Sequence, residues 1–126
     1  EDHLLNVMVA KKLLEFKNAI VDVAENGKMG LDLFASEPEN YYDAILMDIR
    51  MPVMDGLEAT KSIRKLDKEG AKTIPIIAMS ANAFDEDVEK SIKAGMNAHL
   101  AKPIDPDVLY HTLYCFISKG NKKENG

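Results

Sequence analysis

Short apolar runs alternate along the chain with segments in which apolar residues recur at helical spacing. The runs that predict strands lie at residues 20–24, 44–47, 74–79 and, more weakly, 98–101. The segments that predict helices lie at residues 5–16, 59–66, 88–92 and 109–116, with a further helix at about 28–36. Strands that alternate with helices predict an α/β fold with a parallel sheet, right-handed crossovers and helices on both faces.

Composition narrows the classes of function. The 126 residues fit one domain with a single core, and the hydrophobic fraction of 46% is ordinary for a globular protein. A net charge of −5 without a basic stripe argues against direct nucleic-acid binding. The single cysteine, Cys115, excludes an internal disulfide and favours a cytoplasmic location. No apolar run reaches the roughly 18 residues of a membrane span, so we expect no membrane contact by this domain.

Candidate chemistry collects at one edge of the predicted sheet. Asp48, Ser80 and Lys102 each come at or directly after the end of a predicted strand, and Glu1 and Asp2 precede the first helix. Sites in open α/β sheets form beyond the carboxyl ends of the strands. We therefore expect three carboxylates, one hydroxyl and one ammonium to converge there.

These groups suit phosphoryl transfer. Close carboxylates repel one another unless a cation joins them, and hard oxygen ligands suit Mg²⁺. A carboxylate can attack phosphorus to form an aspartyl phosphate. Mg²⁺ and a lysine would neutralise the charge on the transferring group. The chain has no glycine-rich phosphate-binding loop, which argues against a nucleotide site of that kind.

The chain resembles the receiver domain of two-component response regulators. The resemblance rests on the sequence DIRMPVMDG at 48–56, on Ser80-Ala81 and on Lys102-Pro103, and it covers nearly the whole chain, residues 1–118. It implies a flavodoxin-like, doubly wound parallel sheet of strand order 2-1-3-4-5 in three αβα layers. From composition, we expect residues 119–126 to form a disordered polar tail.

The resemblance also implies the roles of the site residues. Asp48 would be the phospho-acceptor, Lys102 the phosphate-binding lysine and Ser80 the switch hydroxyl. Mg²⁺ would be held by Asp2 most directly, by Glu1, by Asp48 and by the backbone carbonyl of Arg50.

Four further residues match switch or tuning positions. His99 stands at the switch position, where many members of the family carry Tyr or Phe. Asn82, like Arg50, matches a position that tunes dephosphorylation, and Ala81 adjoins the switch serine. The Lys102-Pro103 bond is expected to be cis, which would aim the lysine inward.

The family's first strand has no counterpart in the chain. The sequence opens on Glu1-Asp2-His3, directly ahead of the first helix, whereas the family places a strand there, in the middle of the sheet. Without it, two inner strands would present unpaired backbone groups, which is costly when buried. We hypothesise that a strand lies ahead of Glu1 in a longer protein or is supplied by another chain. Four strands paired directly, without a gap, would contradict this.

The leading hypothesis is a phospho-accepting signalling module rather than an enzyme. Its donor would be a histidine kinase or a histidine phosphotransfer domain, and its output face would span about residues 85–117; a homodimer stays an open alternative. Residues 76–84, 95–97 and 102–104 resemble receivers fused to hybrid sensor histidine kinases, so we expect an origin in such a protein, which could itself be membrane-bound. A single-domain response regulator is the alternative.

Two alternatives belong to other classes. A phosphohydrolase of the haloacid dehalogenase type also uses a strand-end aspartate, Mg²⁺ and a lysine. Such enzymes carry a general acid two residues after the nucleophile, where this chain has Arg50, which cannot donate a proton at neutral pH. A pseudo-receiver that never takes phosphate would usually lack a member of the constellation, and all members are present here.

Overall fold

Five helices and three strands make up the described part of the chain. The structure is a computed structural model that describes residues 3–39, 41–49, 53–80, 85–102 and 104–125. In chain order the elements are α1 (His3–Phe16), α2 (Gly27–Ser36), β1 (Ile45–Asp48), α3 (Gly56–Arg64), β2 (Ile76–Ser80), α4 (Asp85–Ala94), β3 (Ala98–Ala101) and α5 (Pro106–Asn125). The five predicted helices and three of the four predicted strands are present.

The three strands pair in parallel in the order β1-β2-β3. Met47 of β1 lies opposite Ala78 of β2, and Met79 of β2 lies opposite Leu100 of β3. All five residues of the central strand β2 are buried, as predicted for a strand that helices cover on both faces. Because the strands are parallel, their carboxyl ends meet at one edge of the sheet.

Each face of the sheet carries its own apolar core. On one face Ile76 packs in a cluster with Phe34 of α2 and Ile63 of α3. On the other face Ile77 packs in a cluster with Leu109 of α5, and α1 adds half-buried leucines. Neighbouring residues of a strand point to opposite faces of the sheet, so β2 contributes side chains to both cores. The result is the predicted arrangement of three αβα layers.

The strand predicted at residues 20–24 is not formed, so that prediction was wrong. This segment has no ladder partner, and Ile20 is 97% exposed. A groove of about 640 Å³ is lined by this segment on one side and by β1 on the other. Among the described residues no strand lies between the two, and a strand without a neighbour cannot form backbone hydrogen bonds. Of the expected order 2-1-3-4-5, the last three strands are present.

The last helix is longer than expected. Asp105 starts it by accepting a hydrogen bond from the Asp107 amide on Oδ1, at 2.9 Å. The helical backbone then continues to Asn125, whereas composition predicted a disordered tail over residues 119–126. The lysines and the glutamate of this segment favour helices, whereas Gly120 and the two asparagines do not.

Candidate functional site

Three strand ends bring Asp48, Ser80 and Lys102 to one edge of the sheet. Asp48 ends β1, Ser80 ends β2 and Lys102 follows β3. The Lys102 amide donates to the Ser80 carbonyl at 2.8 Å, which continues the β2–β3 ladder into the site. Asp48 and Ser80 are each 5% exposed. The convergence predicted for these three residues is therefore present in the structure.

Asp48 and Lys102 form a buried ion pair. Nζ of Lys102 donates to Oδ2 of Asp48 at 2.5 Å, and the two side chains are 4% and 8% exposed for Asp48 and Lys102 respectively. Two opposite charges removed from water stabilise each other, and loss of either one would leave the other less well compensated. The lysine therefore fixes one side of the carboxylate and places a positive charge where negative charge would arrive.

The chain turns sharply after Asp48, and Gly56 makes that turn possible. The Gly56 amide donates to the Ile49 carbonyl at 2.9 Å. A Cβ on Gly56 would lie 2.3 Å from the Asp48 carbonyl oxygen, a distance that real Cβ atoms do not reach. The glycine of the DIRMPVMDG segment is thus required by its close approach to the Asp48 backbone carbonyl.

Hydrogen bonds to the first residues of α2 and α3 hold the rest of this loop in place. Oδ1 of Asp55 accepts from the Glu58 amide at 2.9 Å and caps α3. The Gly27 amide, at the start of α2, donates to the Met54 carbonyl at 3.0 Å. These roles of Asp55 and Gly27 were not predicted, although an aspartate three residues before Glu58 is a recognisable cap signal.

A row of three polar side chains leads away from Ser80. Nε2 of His99 lies 3.1 Å from Oγ of Ser80, and Nδ1 of His99 lies 3.3 Å from Oγ of Ser91 on α4. Ser91 is 2% exposed. Sequence reasoning placed His99 near the switch but missed Ser91, whose only signal was a small polar residue on the inward side of a helix.

Arg64 fixes the opposite, amino end of the strands. Its guanidinium donates from Nε to the Gly95 carbonyl at 3.0 Å and from Nη2 to Oδ1 of Asn97 at 2.9 Å. Oδ1 of Asn97 also accepts from the Ile76 amide at 2.9 Å. Partial burial lowers the pKa of Arg64 below its usual value, but an arginine stays charged at neutral pH. These contacts set the register of β2 and β3 and so place Ser80 and Lys102.

The other predicted site residues lie outside the described residues. They are Glu1, Asp2, Arg50, Ala81, Asn82 and Pro103. Within the described ranges no group of three or more His, Cys, Asp or Glu side chains could hold a metal ion. Asp48 offers one buried carboxylate, a hard oxygen donor that suits Mg²⁺. The remaining donors predicted for the metal are among the residues named above.

The chain matches one protein-family model and, over most of its length, several known proteins. The family model described as "Response regulator receiver domain" matches residues 1–114. Hybrid signal transduction histidine kinase I of Dictyostelium discoideum is 40% identical over 122 residues, which are 94% of this chain and 7% of that protein. Peroxide stress-activated histidine kinase mak3 of Schizosaccharomyces pombe is 36% identical over 121 residues, 95% of this chain and 5% of that protein. The chain thus spans a small fraction of each relative.

Solved structures agree with the sequence matches. The receiver domain of a sensor histidine kinase from Pseudomonas aeruginosa is 37% identical, with a TM-score of 0.81 over 94% of this chain and 93% of that one. That crystal structure has a magnesium ion coordinated in its active site cleft. A CheY-like receiver domain protein from Methanospirillum hungatei matches 98% of this chain with a TM-score of 0.83 at 25% identity. The flavodoxin-like, CheY-like fold is confirmed. Among the described residues, no helix is long and apolar enough to cross a membrane.

Proposed function

This chain belongs to the family of response regulator receiver domains, the signal-receiving modules of two-component systems, and we propose that it accepts a phosphoryl group on Asp48. The observation that carries the proposal is the buried contact of 2.5 Å between the Asp48 carboxylate and the Lys102 ammonium at the carboxyl edge of the sheet. A nucleophilic carboxylate beside a fixed positive charge suits the transfer of an anionic group.

The proposed step exchanges one bond to phosphorus for another. A carboxylate oxygen of Asp48 forms a bond to phosphorus while the nitrogen–phosphorus bond of a phosphohistidine breaks. The imidazole nitrogen keeps the electron pair and takes up a proton. Lys102 turns from the carboxylate toward the arriving phosphoryl oxygens, whose charge it neutralises.

Mg²⁺ fits the donors that we assign to it. Asp48, Asp2 and Glu1 would supply carboxylates, and Arg50 its backbone carbonyl, all hard oxygen ligands. The ion would offset the charge of the phosphoryl oxygens. The magnesium in the active site cleft of the related Pseudomonas receiver supports this assignment.

The phosphorylated site would act as a switch. We assign to Ser80 a hydrogen bond to the aspartyl phosphate and to Asn82, like Arg50, the tuning of dephosphorylation; Ala81 and Pro103 adjoin Ser80 and Lys102 in the sequence. The response would reach the face built from α4, β3 and α5, at about residues 85–117. Ile92 of α4 is 64% exposed and Tyr114 of α5 is 71% exposed, so this face offers apolar contacts to a partner.

The donor would be a histidine kinase or a histidine phosphotransfer domain. The relatives named above are histidine kinases, and the chain spans 7% and 5% of them, as a receiver module inside a hybrid kinase would. We accordingly propose residues 1–118 as the receiver module of such a protein, in the cytoplasm. Any kinase activity would belong to the rest of that protein.

Phosphorylation with a small donor tests the assignment of Asp48. Incubation with acetyl phosphate and Mg²⁺ should add one acid-labile phosphoryl group, detected by intact mass, and Asp48→Asn should abolish it. Asp67→Asn, which removes an exposed carboxylate of the loop after α3, is the matched control and should react like the unchanged chain. If Asp48→Asn still gains the acid-labile group, the acceptor lies elsewhere. Steady hydrolysis of a simple phosphate ester would instead indicate a phosphohydrolase.

A further inference from the structure

His99 is bound at both ring nitrogens by serines from two different elements. Oγ of Ser80, at the end of β2, lies 3.1 Å from Nε2, and Oγ of Ser91, on α4, lies 3.3 Å from Nδ1. Both serines are buried, at 5% and 2% exposure. The ring joins the predicted switch hydroxyl to the helix of the predicted output face.

The two nitrogens of a neutral imidazole differ in their hydrogen-bonding roles. One ring nitrogen carries hydrogen and donates, while the other accepts, so the two hydrogen bonds must run the same way through the ring. A hydroxyl can serve as donor or acceptor and rotates to suit its partners. The row Ser80–His99–Ser91 can therefore exist in two states of opposite polarity without any side chain leaving its place.

We propose that His99 is a positioning residue that transmits the state of Ser80 to Ser91, and hence to α4, by the polarity of these two hydrogen bonds. The inference rests on the proposed function of Asp48. When the Ser80 hydroxyl donates to a phosphoryl oxygen, its oxygen accepts from Nε2–H of His99. Nδ1 then lacks hydrogen and accepts from the Ser91 hydroxyl. Phosphorylation thus selects the Nε2–H tautomer and orients Ser91.

The same contacts oppose an alternative in which the ring swings between two positions. If the His99 ring left its place, both hydrogen bonds would break, and two buried hydroxyl groups would lose a partner. A phenylalanine could swing without that cost but could not carry polarity. His99→Phe therefore separates the two mechanisms, because it keeps an aromatic ring and removes both nitrogens.

The first measurement is the tautomer of His99 in the unchanged chain. Nitrogen NMR of labelled imidazoles gives separate signals for the three histidines, His3, His99 and His111, and the His99→Phe spectrum identifies the signal of His99. We expect acetyl phosphate with Mg²⁺ to shift the His99 population to Nε2–H. An unchanged tautomer population in a sample that intact mass shows to be phosphorylated would overturn the proposal.

The second measurement is the response of α4. Backbone amide shifts of residues 85–94 upon phosphorylation should fall by at least half in Ser91→Ala and in His99→Phe, when each variant is compared with the unchanged chain at the same phosphorylated fraction by intact mass. Ser62→Ala, on α3, is the matched control and should leave these shifts unaltered. Full α4 responses in both variants would overturn the relay alone. If no chain is phosphorylated, the proposed function fails, and the relay falls with it for lack of a trigger. If a variant does not fold, the tautomer in the unchanged chain decides.

Discussion

The two sides of the sheet satisfy their backbone groups differently. Strands β2 and β3 pair along their whole length, and the backbone N–H of Asn97 extends the ladder by donating to the Ile76 carbonyl at 2.8 Å. The outer edge of β1 has no strand partner among the described residues and faces the groove of about 640 Å³. Across that groove, the segment at 20–24 is tied down by a hydrogen bond of 2.7 Å from the Tyr42 hydroxyl to Asp22.

Asp48 lies on the border between these two sides. From the paired side it is held by β2 and by Lys102. From the groove side the loop behind it rests on the start of α2, through the contact of Gly27 with Met54. The contacts that orient the Asp48 carboxylate therefore come from the paired side. The groove side holds only the loop after Asp48, and a further strand beside β1 could add contacts there.

The largest effect is expected from breaking the ion pair on the paired side. Lys102→Ala removes the ammonium that lies 2.5 Å from the buried Asp48 carboxylate, and breaking a buried ion pair in this way costs about 3–5 kcal/mol of unfolding free energy. Urea denaturation followed by circular dichroism measures it. Lys93→Ala, which removes an exposed lysine of α4, is the control and should stay within about 0.5 kcal/mol. Equal losses in the two variants would show that the pair does not constrain the fold.

The next effect is expected from filling the groove. An extended apolar segment of about five β-branched residues, joined ahead of Glu1, would give β1 and the segment at 20–24 a common partner. Burial of two or three such side chains, together with ladder hydrogen bonds to both flanks, should exceed the cost of ordering the added backbone, so the unfolding free energy should rise. Hydrogen exchange should slow on both flanks of the groove.

A glycine–serine segment of the same length is the control for this addition, because it lengthens the chain without apolar side chains. It should leave the unfolding free energy and the exchange rates unchanged. Equal behaviour of the two extended chains would mean that the groove does not accept a strand, and the hypothesis of a missing strand would be wrong.

The difference between the sides also explains what the sequence could predict. The helices and strands β1, β2 and β3 follow from local periodicity. Because Asp48, Ser80 and Lys102 lie at or just after strand ends, the sequence also predicts that they share one edge of the sheet. The run at 20–24 has the composition of a strand, but strand structure needs a neighbour, which no local pattern supplies. Ser91 was missed for a related reason, since its role arises only when α4 packs beside β3.

A smaller effect separates two glycines, Gly56 against the end of β1 and Gly30 within α2 at the groove. Gly56→Ala places a Cβ against the Asp48 carbonyl, so the end of β1 must move, and we expect a loss of about 1–3 kcal/mol together with slower phosphorylation. Gly30→Ala, inside α2, meets only the Ala24 side chain, at an ordinary 3.7 Å. It should stabilise by about 0.5–1 kcal/mol, because alanine favours the helix. Denaturation of both variants checks the opposite signs.

The smallest effect concerns the hydroxyl that ties the segment at 20–24. Burial and the hydrogen bond to Asp22 raise the pKa of Tyr42 above its ordinary value. A raised pKa in the folded state gives stability that is complete below the unfolded value of about 10 and is lost as pH rises above it. The unfolding free energy should therefore fall from pH 9 to pH 11 more steeply in the unchanged chain than in Tyr42→Phe.

Below pH 9 the Tyr42→Phe variant should be less stable by about 1 kcal/mol, the net worth of one hydrogen bond. Tyr114→Phe is the matched control, because Tyr114 is 71% exposed, and it should keep both the stability and the pH dependence of the unchanged chain. Addition of the apolar strand should enlarge the effect of Tyr42→Phe, since a bordering strand excludes water from the Tyr42–Asp22 contact. If Tyr42→Phe lowers the unfolding free energy equally with and without the added strand, the Tyr42–Asp22 hydrogen bond does not depend on what occupies the groove.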